Sequence, residues 1–336
     1  MKAGTLTIVG GESLVGRELR DLLAERKLSP GVKLIGVDED AAMLTAQDGE
    51  AVVMTPLDAG NLRGSRIAFL AGSAASSAKA LKLAAKAESA PAFIDLTHAA
   101  EDAPHARLRA PCVEPAGYAA PRGTLHVVAH PAAMALALFL SRVAARHAIR
   151  RSIVHVFEPA SERGKKGIQE LERQTVSLLS FKPLPKQVFD AQLGFNMLSS
   201  YGSEAPEILG VMELRIERHL ATLLAGLGGI PMPSLRLIQA PVFHGYSMSV
   251  FVEFSEAADA AALAATLAAP DVDVRTGDLE PPTSVGIAGQ SGIAVGSIAA
   301  DRNDPRACWF WVVADNLRLV ADNALAVAQG LLDAKS

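Results

Sequence analysis

The sequence predicts an α/β fold, with a doubly wound parallel sheet in its first half and an α+β arrangement in its second. Three observations carry that expectation. Up to about residue 130, short continuous apolar strands alternate with amphipathic helices, the pattern of a parallel sheet covered on both faces. Beyond that point strands dominate and alternate apolar with polar residues, as in an antiparallel sheet with one covered face. At 336 residues the chain is long enough for two domains. The boundaries expected are 1–130 and 131–315, followed by a final helix over 316–336.

In order, LTIVGG (6–11) reads as the first buried strand and ESLVGRELRDLLAER (12–26) as an amphipathic helix. KLIGVDE (33–39), RIAFLAG (66–72), PAFIDLT (91–97) and LHVVAH (125–130) read as further strands, with a helix from Ser76 to about Glu88. In the second half, strands are expected over 151–161, 234–243, 246–254, 293–302 and 308–315. Helices are expected over about 166–180, 205–226 and 316–334, and GFNMLSSYGS reads as irregular chain.

Composition narrows the function classes. The chain is 50% hydrophobic and 20% charged, enough for a large core and unlike a disordered polymer. A net charge of −4 without long basic runs argues against nucleic-acid binding, because a phosphate backbone needs a positive footprint. The longest apolar helix, around Ala132–Leu140, is too short to span a bilayer, and the N-terminus lacks a signal-peptide pattern. A cytoplasmic protein is expected. Two cysteines, Cys112 and Cys308, make neither a disulfide framework nor a zinc spacing. Both are expected to be buried small hydrophobes, and no metal is expected.

Four segments carry candidate chemistry. VGGESLVGRE (9–18) follows the first strand and opens the first helix, where a dinucleotide phosphate turn sits in a Rossmann-type sheet. Its pattern is Gly10-x-x-Ser13-x-x-Gly16, so serine stands where a glycine is expected, and Glu12 adds a negative charge that opposes a pyrophosphate. The turn residues Gly10, Gly11, Ser13, Leu14, Val15 and Gly16 are the candidate cofactor contacts. Asp38 and Glu39 end the second strand, where an acid hydrogen-bonds a ribose hydroxyl and repels a 2′-phosphate. Of NAD and NADP, they favour NAD. FLAGSAASS (69–77) adds Ala71, Gly72 and Ser73 at a strand end, and EPASERGKKGIQEL (158–171) places Gly164 and Gly167 around a lysine pair before a helix.

Taken together, these segments resemble the aspartate-semialdehyde dehydrogenase family. The segments are VGGESLVGRE, IAFLAGSAAS, FIDLT, VVAHPAA, SERGKKGIQEL, GFN, APVFHGYSMSVFVEF, AVGSI and WFWVVADNLRLVADNA, spanning nearly the whole chain. The resemblance implies a Rossmann domain, a C-terminal α+β dimerisation domain, a last helix returning to the first domain, a homodimer and a small-molecule ligand in the interdomain cleft. It also implies a cofactor contact at Asn316. The family's chemistry is reduction of aspartyl phosphate through a cysteine thioester, with glutamine positioning, histidine acid–base and arginine anion-binding groups.

Carried over residue by residue, those groups are missing. The cysteine position in Ala129-His130-Pro131-Ala132-Ala133-Met134 is Ala133, and the family's glutamine is Glu158. Its carboxylate-binding arginine is Gln239, its catalytic histidine is Tyr246, and a phosphate-binding arginine aligns with Glu101. The family's acidic substrate contact corresponds to Glu213 or Glu217. The chain therefore resembles the Usg-type branch, which lacks the cysteine. The expectation is a non-catalytic or altered member with a binding or regulatory role. The alternative is an NAD(P)-dependent oxidoreductase using His130, Glu158, His244 and Tyr246, and a third reading is a pure dimerisation or interaction module, for which a true dehydrogenase subunit is one candidate partner.

Overall fold

The computed structural model describes residues 6–28, 31–37, 44–47, 50–85, 90–115, 117–121 and 123–333. The chain divides into two compact units, Met1–Ala129 with Val320–Ser336, and His130–Leu319.

The first unit is built on six parallel strands in the order β2-β1-β5-β6-β8-β7. They are β1 (Leu6–Val9), β2 (Lys33–Ile35), β5 (Ile67–Leu70), β6 (Ala92–Asp95), β7 (Ala106–Arg109) and β8 (Leu125–Val128). The helices α1 (Leu14–Glu25), α2 (Ala59–Leu62) and α3 (Ala74–Ala84) intervene. All four residues of β1 and of β5 are buried, so their continuous apolar runs mark a sheet covered on both faces. A separate hairpin pairs β3 (Leu44–Gln47) with β4 (Glu50–Val53). Neither that hairpin nor β7 is predicted, because all three strands are short and mix polar with apolar residues. The strand expected over 33–39 closes early, at Ile35.

The second unit carries a six-stranded mixed sheet in the order β10-β9-β11-β14-β13-β12. These are β9 (Ile149–Glu158), β10 (Ser234–Gln239), β11 (Tyr246–Phe254), β12 (Val272–Arg275), β13 (Ile293–Ala300) and β14 (Ala307–Ala314). The sequence predicts an antiparallel sheet. However, β10 runs parallel to β9 and β12 parallel to β13. The cause is connectivity. Between β9 and β10 lie a 3-10 turn (Ala160–Arg163), α5 (Gly164–Leu179) and α6 (Leu209–Leu227), a crossover of the kind that brings a parallel strand back. β10 stops at Gln239 rather than Phe243, since Pro241 has no N–H to donate. α6 begins at Leu209 rather than 205, because Pro206 disfavours helical backbone in the residue before it. α7 (Ala260–Leu267) and β12 are not predicted.

On one sheet face, α4 (Pro131–Ala144) packs on β9 and β14 and α7 on β13. α4 is buried almost throughout, with Phe139 edge-on to Phe310 at 5.0 Å. On the other face, Phe251 meets Trp309 at 5.0 Å and Phe157 meets Trp311 at 5.9 Å, with Ile153 and Trp309 more than a third exposed. The last helix, α8 (Asn316–Asp333), starts in the second unit and ends in the first. Among the described residues, no helix is long and apolar enough to cross a membrane and no cluster could hold a metal ion. Cys308 is buried as expected, whereas Cys112 is half-buried, because it lies in the turn after β7.

Candidate functional site

In the second unit, α4 opens at His130, whose backbone N–H donates to His219 Nδ1 at 2.9 Å. Pro131 takes the first helical position, where its missing N–H is not needed. The His130 ring caps its own helix, with Nδ1 accepting from the Ala132 N–H at 3.3 Å. Nε2 therefore carries the proton, and it lies 3.8 Å from Glu162 Oε2. Ala133 follows, fully buried. This strand-to-helix turn presents no thiol or hydroxyl at Ala132, Ala133 or Met134.

The 3-10 turn after β9 delivers the charges. The Ala160 and Ser161 N–H groups donate to the Val242 and Phe243 carbonyls, tying the turn to the chain between β10 and β11. A Cβ on Gly167 would overlap the Ala160 carbonyl oxygen, so α5 approaches this turn as closely as only glycine allows. Glu158 ends β9 fully buried. Its Oε1 accepts a short hydrogen bond from Arg163 Nη2, and Tyr246 O–H donates to its Oε2 at 3.4 Å. Arg163, itself 5% exposed, also donates to Tyr201 Oη at 3.2 Å and to Glu207 at 2.6 Å. Tyr201 donates to Gln239 Oε1 at 2.6 Å, and Gln239 donates to the Glu158 and Ala240 carbonyls.

Tyr201 reaches this place through an ordered irregular segment. Glu170 on α5 accepts from the Val188 and Phe189 N–H groups, and Gln174 accepts from those of Leu193 and Gly194. Phe189 then packs edge-on against Tyr201 at 5.4 Å. On the other side, Asn316 is almost completely buried. Its Nδ2 donates to Glu162 Oε1 at 2.7 Å and to Ser161 Oγ at 3.0 Å, and its Oδ1 accepts from Gly245 N at 3.1 Å.

Three carboxylates thus face one guanidinium. Burial pushes Glu158 up despite Arg163 beside it. Burial and the neighbouring Glu158 push Glu162 up to about 7. Burial, with Glu162 and Glu158 nearby, holds Tyr246 far above the ordinary phenol value, so its hydroxyl stays neutral. The surplus charge is negative, opposite to a site that grips a carboxylate or a phosphate.

The structure gathers Glu158, Gln239 and Tyr246 with His130 and Asn316. The interactions that join them do not include His244. Glu213 uses its carboxylate on the Leu237 N–H at 2.7 Å and on Arg236. Glu162, Arg163, Tyr201 and Glu207 were not singled out from the sequence. The available signal was two charged residues, Glu162-Arg163, directly after the Glu158-Pro159-Ala160-Ser161 strand end.

In the first unit, the β1–α1 turn brings Gly10, Gly11, Ser13, Leu14, Val15 and Gly16 together, with Ala71, Gly72 and Ser73 across from them. Ser13 caps α1, accepting from Gly16 N at 2.9 Å, and its Oγ donates to the Ala71 carbonyl at 2.5 Å. Gly10, at φ +85°, packs on Gly72, and a Cβ there would overlap the Gly72 Cα. Ser73 and Ser76 cap α3 reciprocally. Asp38 and Glu39 lie outside the described residues. Glu101 lies in the turn after β6, near Asp95, whose buried carboxylate accepts from Thr97 and from the Ala100 N–H.

Residues 140–319 match the model described as semialdehyde dehydrogenase, dimerisation domain. The chain belongs to the semialdehyde dehydrogenase family. It is 37% identical over 174 residues to a USG-1 protein homolog of Pseudomonas aeruginosa, a match spanning about half of each chain. A USG-1 protein homolog of Azotobacter vinelandii is 28% identical over 97% of both chains. A solved structure, a probable aspartate-semialdehyde dehydrogenase from Pseudomonas aeruginosa, superposes at a TM-score of 0.86 with 29% identity over the full length of both. Within this semialdehyde dehydrogenase family fold, the buried cluster sits at the end of β9 and the N-terminus of α4.

Proposed function

We propose that this semialdehyde dehydrogenase family member performs no acyl transfer and acts as a homodimeric scaffold with a binding or regulatory role. The observation that carries this reading is the buried Glu158–Arg163 ion pair, which commits the one guanidinium of the cluster to carboxylates, together with an alanine, Ala133, at the turn where the family's thiol is expected. Thioester chemistry needs a nucleophile, a base within hydrogen-bond reach and a cationic grip on the substrate anion. Ala133 supplies no nucleophilic atom. His130 has one nitrogen on the Ala132 N–H and the other toward Glu162. Arg163 is held by Glu158 and Glu207.

The test is incubation of the purified protein with aspartate semialdehyde, phosphate and NAD or NADP, followed by absorbance and intact-mass measurements. Neither turnover nor an acyl adduct is expected, and turnover that follows the protein through purification overturns the reading. Ala133→Cys alone is expected to stay inactive in the same assay, because positioning and charge are altered at Glu158, Gln239 and Tyr246 as well. Measurable turnover from that variant would locate the whole deficit at Ala133.

The homodimer reading rests on the dimerisation-domain match and on the aromatic sheet face around Ile153, Phe251, Trp309 and Trp311. Once covered by a second protomer, such a half-exposed apolar face is intolerant of charge. Trp309→Glu is therefore expected to shift the protein to a monomer in sedimentation, and a variant that keeps the dimer counts against that face. A cytoplasmic location remains the reading favoured by the composition.

A further inference from the structure

We propose that Ser13 and Glu12 shut the first unit's switch-point crevice, so that this chain excludes the dinucleotide its fold family is built to hold. In a doubly wound sheet the pyrophosphate enters where neighbouring strands send their helices to opposite faces, above the carboxyl ends of those strands. Here those strands are β1 and β5, paired in parallel from Leu6 with Ile67 to Val9 with Leu70. A dinucleotide turn keeps this crevice open by placing glycine where the backbone must approach the phosphates.

In this chain that place holds Ser13, and its hydroxyl crosses the crevice to the Ala71 carbonyl at 2.5 Å. The bond ties the β1–α1 turn to the β5–α3 turn. Below it, Gly10 and Gly72 use their missing side chains to pack on each other, which leaves the close approach to backbone rather than to a ligand. The Ser13 oxygen also takes the Gly16 N–H, one of the first-turn donors a phosphate would engage. Across the crevice, the Ser73–Ser76 box satisfies the start of α3 in the same way.

Glu12 adds charge to closure. It precedes the cap of α1, and one of its carboxylate oxygens, Oε2, is buried with no hydrogen-bond partner. An anion already placed at the helix start takes the favourable dipole interaction and repels a second anion there. Neither residue's chemistry supplies what a pyrophosphate needs, and both oppose it.

The experiment is calorimetric titration of NADP and of NAD into the full-length protein and into Ser13→Gly, Ser13→Ala, Glu12→Gln and the Glu12→Gln/Ser13→Gly double variant. Each variant is checked for fold by circular dichroism. The unaltered protein is expected to bind both more weakly than about 1 mM. The double variant is expected to bind at least about tenfold more tightly, with the single variants between. Ser13→Ala removes the hydroxyl without loosening the backbone, so it decides the matter if the glycine variant folds poorly. Micromolar binding by the unaltered protein overturns the proposal, as does the absence of any gain in folded variants. Binding without turnover overturns it while leaving the non-catalytic reading intact.

Discussion

Arg163→Met is expected to destabilise the second unit by about 3–5 kcal/mol, the cost of leaving a buried carboxylate without its partner. Glu158 is fully buried and its main charged contact is Arg163. Met fills much of the arginine's volume, so the loss reports charge rather than a cavity. The double variant Glu158→Met/Arg163→Met removes both charges and is expected to recover most of the loss, since well-packed apolar pairs often equal buried ion pairs. Because burial already raises the Glu158 carboxyl, the single variant should be least destabilised in acid, where that carboxyl takes up a proton. Denaturant unfolding of the parent, the single variant and the double variant, at neutral and at acid pH, measures all three effects. A single variant within about 1 kcal/mol of the parent would show that the ion pair contributes little to folding.

Glu162→Gln carries the second large effect, and it depends on pH. The Glu162 carboxyl is pushed up to about 7 from an ordinary value of 4.5. Between those values the folded protein holds a proton that the unfolded chain has lost, so folding is linked to proton uptake. The stability contributed is complete below pH 4.5 and is lost as pH rises through about 7. Glutamine removes this dependence. Near pH 4 the variant and the parent should be similar, and above about pH 8 the variant should be the more stable, by on the order of 3 kcal/mol. The groups facing Glu162 are His130, Glu158, Arg163, Glu207, Tyr246 and Asn316, and none of them changes in the variant. Melting temperatures across that range test the prediction, and parallel pH profiles for the two proteins would sink it.

The sequence made the β-rich second half legible where one face is covered. YSMSVFVEF alternates cleanly, and β11 occupies just those residues. Strand direction was not legible, because alternation reports which face is buried and not which way a neighbour runs. Parallel β10 and β12 follow from connections that are visible only once the crossover is placed. β3, β4 and β7 escaped because four-residue strands containing Gln, Glu or Arg carry no clear period.

At the site, Glu158, Gln239 and Tyr246 were legible as substitutions in recognisable segments. Arg163 was not, since a charged residue beside glycines and lysines reads as a solvated turn. Its inward direction comes from the Tyr201 segment, which is fixed by Glu170 and Gln174 on α5. Such long-range polar packing leaves no periodic trace in the sequence.

The course of α8 has a consequence for how the chain is made. The first unit is discontinuous, since Met1–Ala129 is completed only by Val320–Ser336. Its last piece supplies Asp322, which pairs with Arg26 at 2.5 Å, and Asn323, whose side chain accepts from the Cys112 N–H at 3.0 Å. The Leu332 carbonyl accepts from Arg66 at 3.2 Å. A ribosome emits the whole of His130–Leu319 before any of these groups exists. During synthesis the first unit therefore has all six strands of its sheet but lacks its last helical segment, while the later unit has all of its residues first. A nascent chain stalled before Val320 is expected to show a protease-resistant second unit and a first unit open to cleavage.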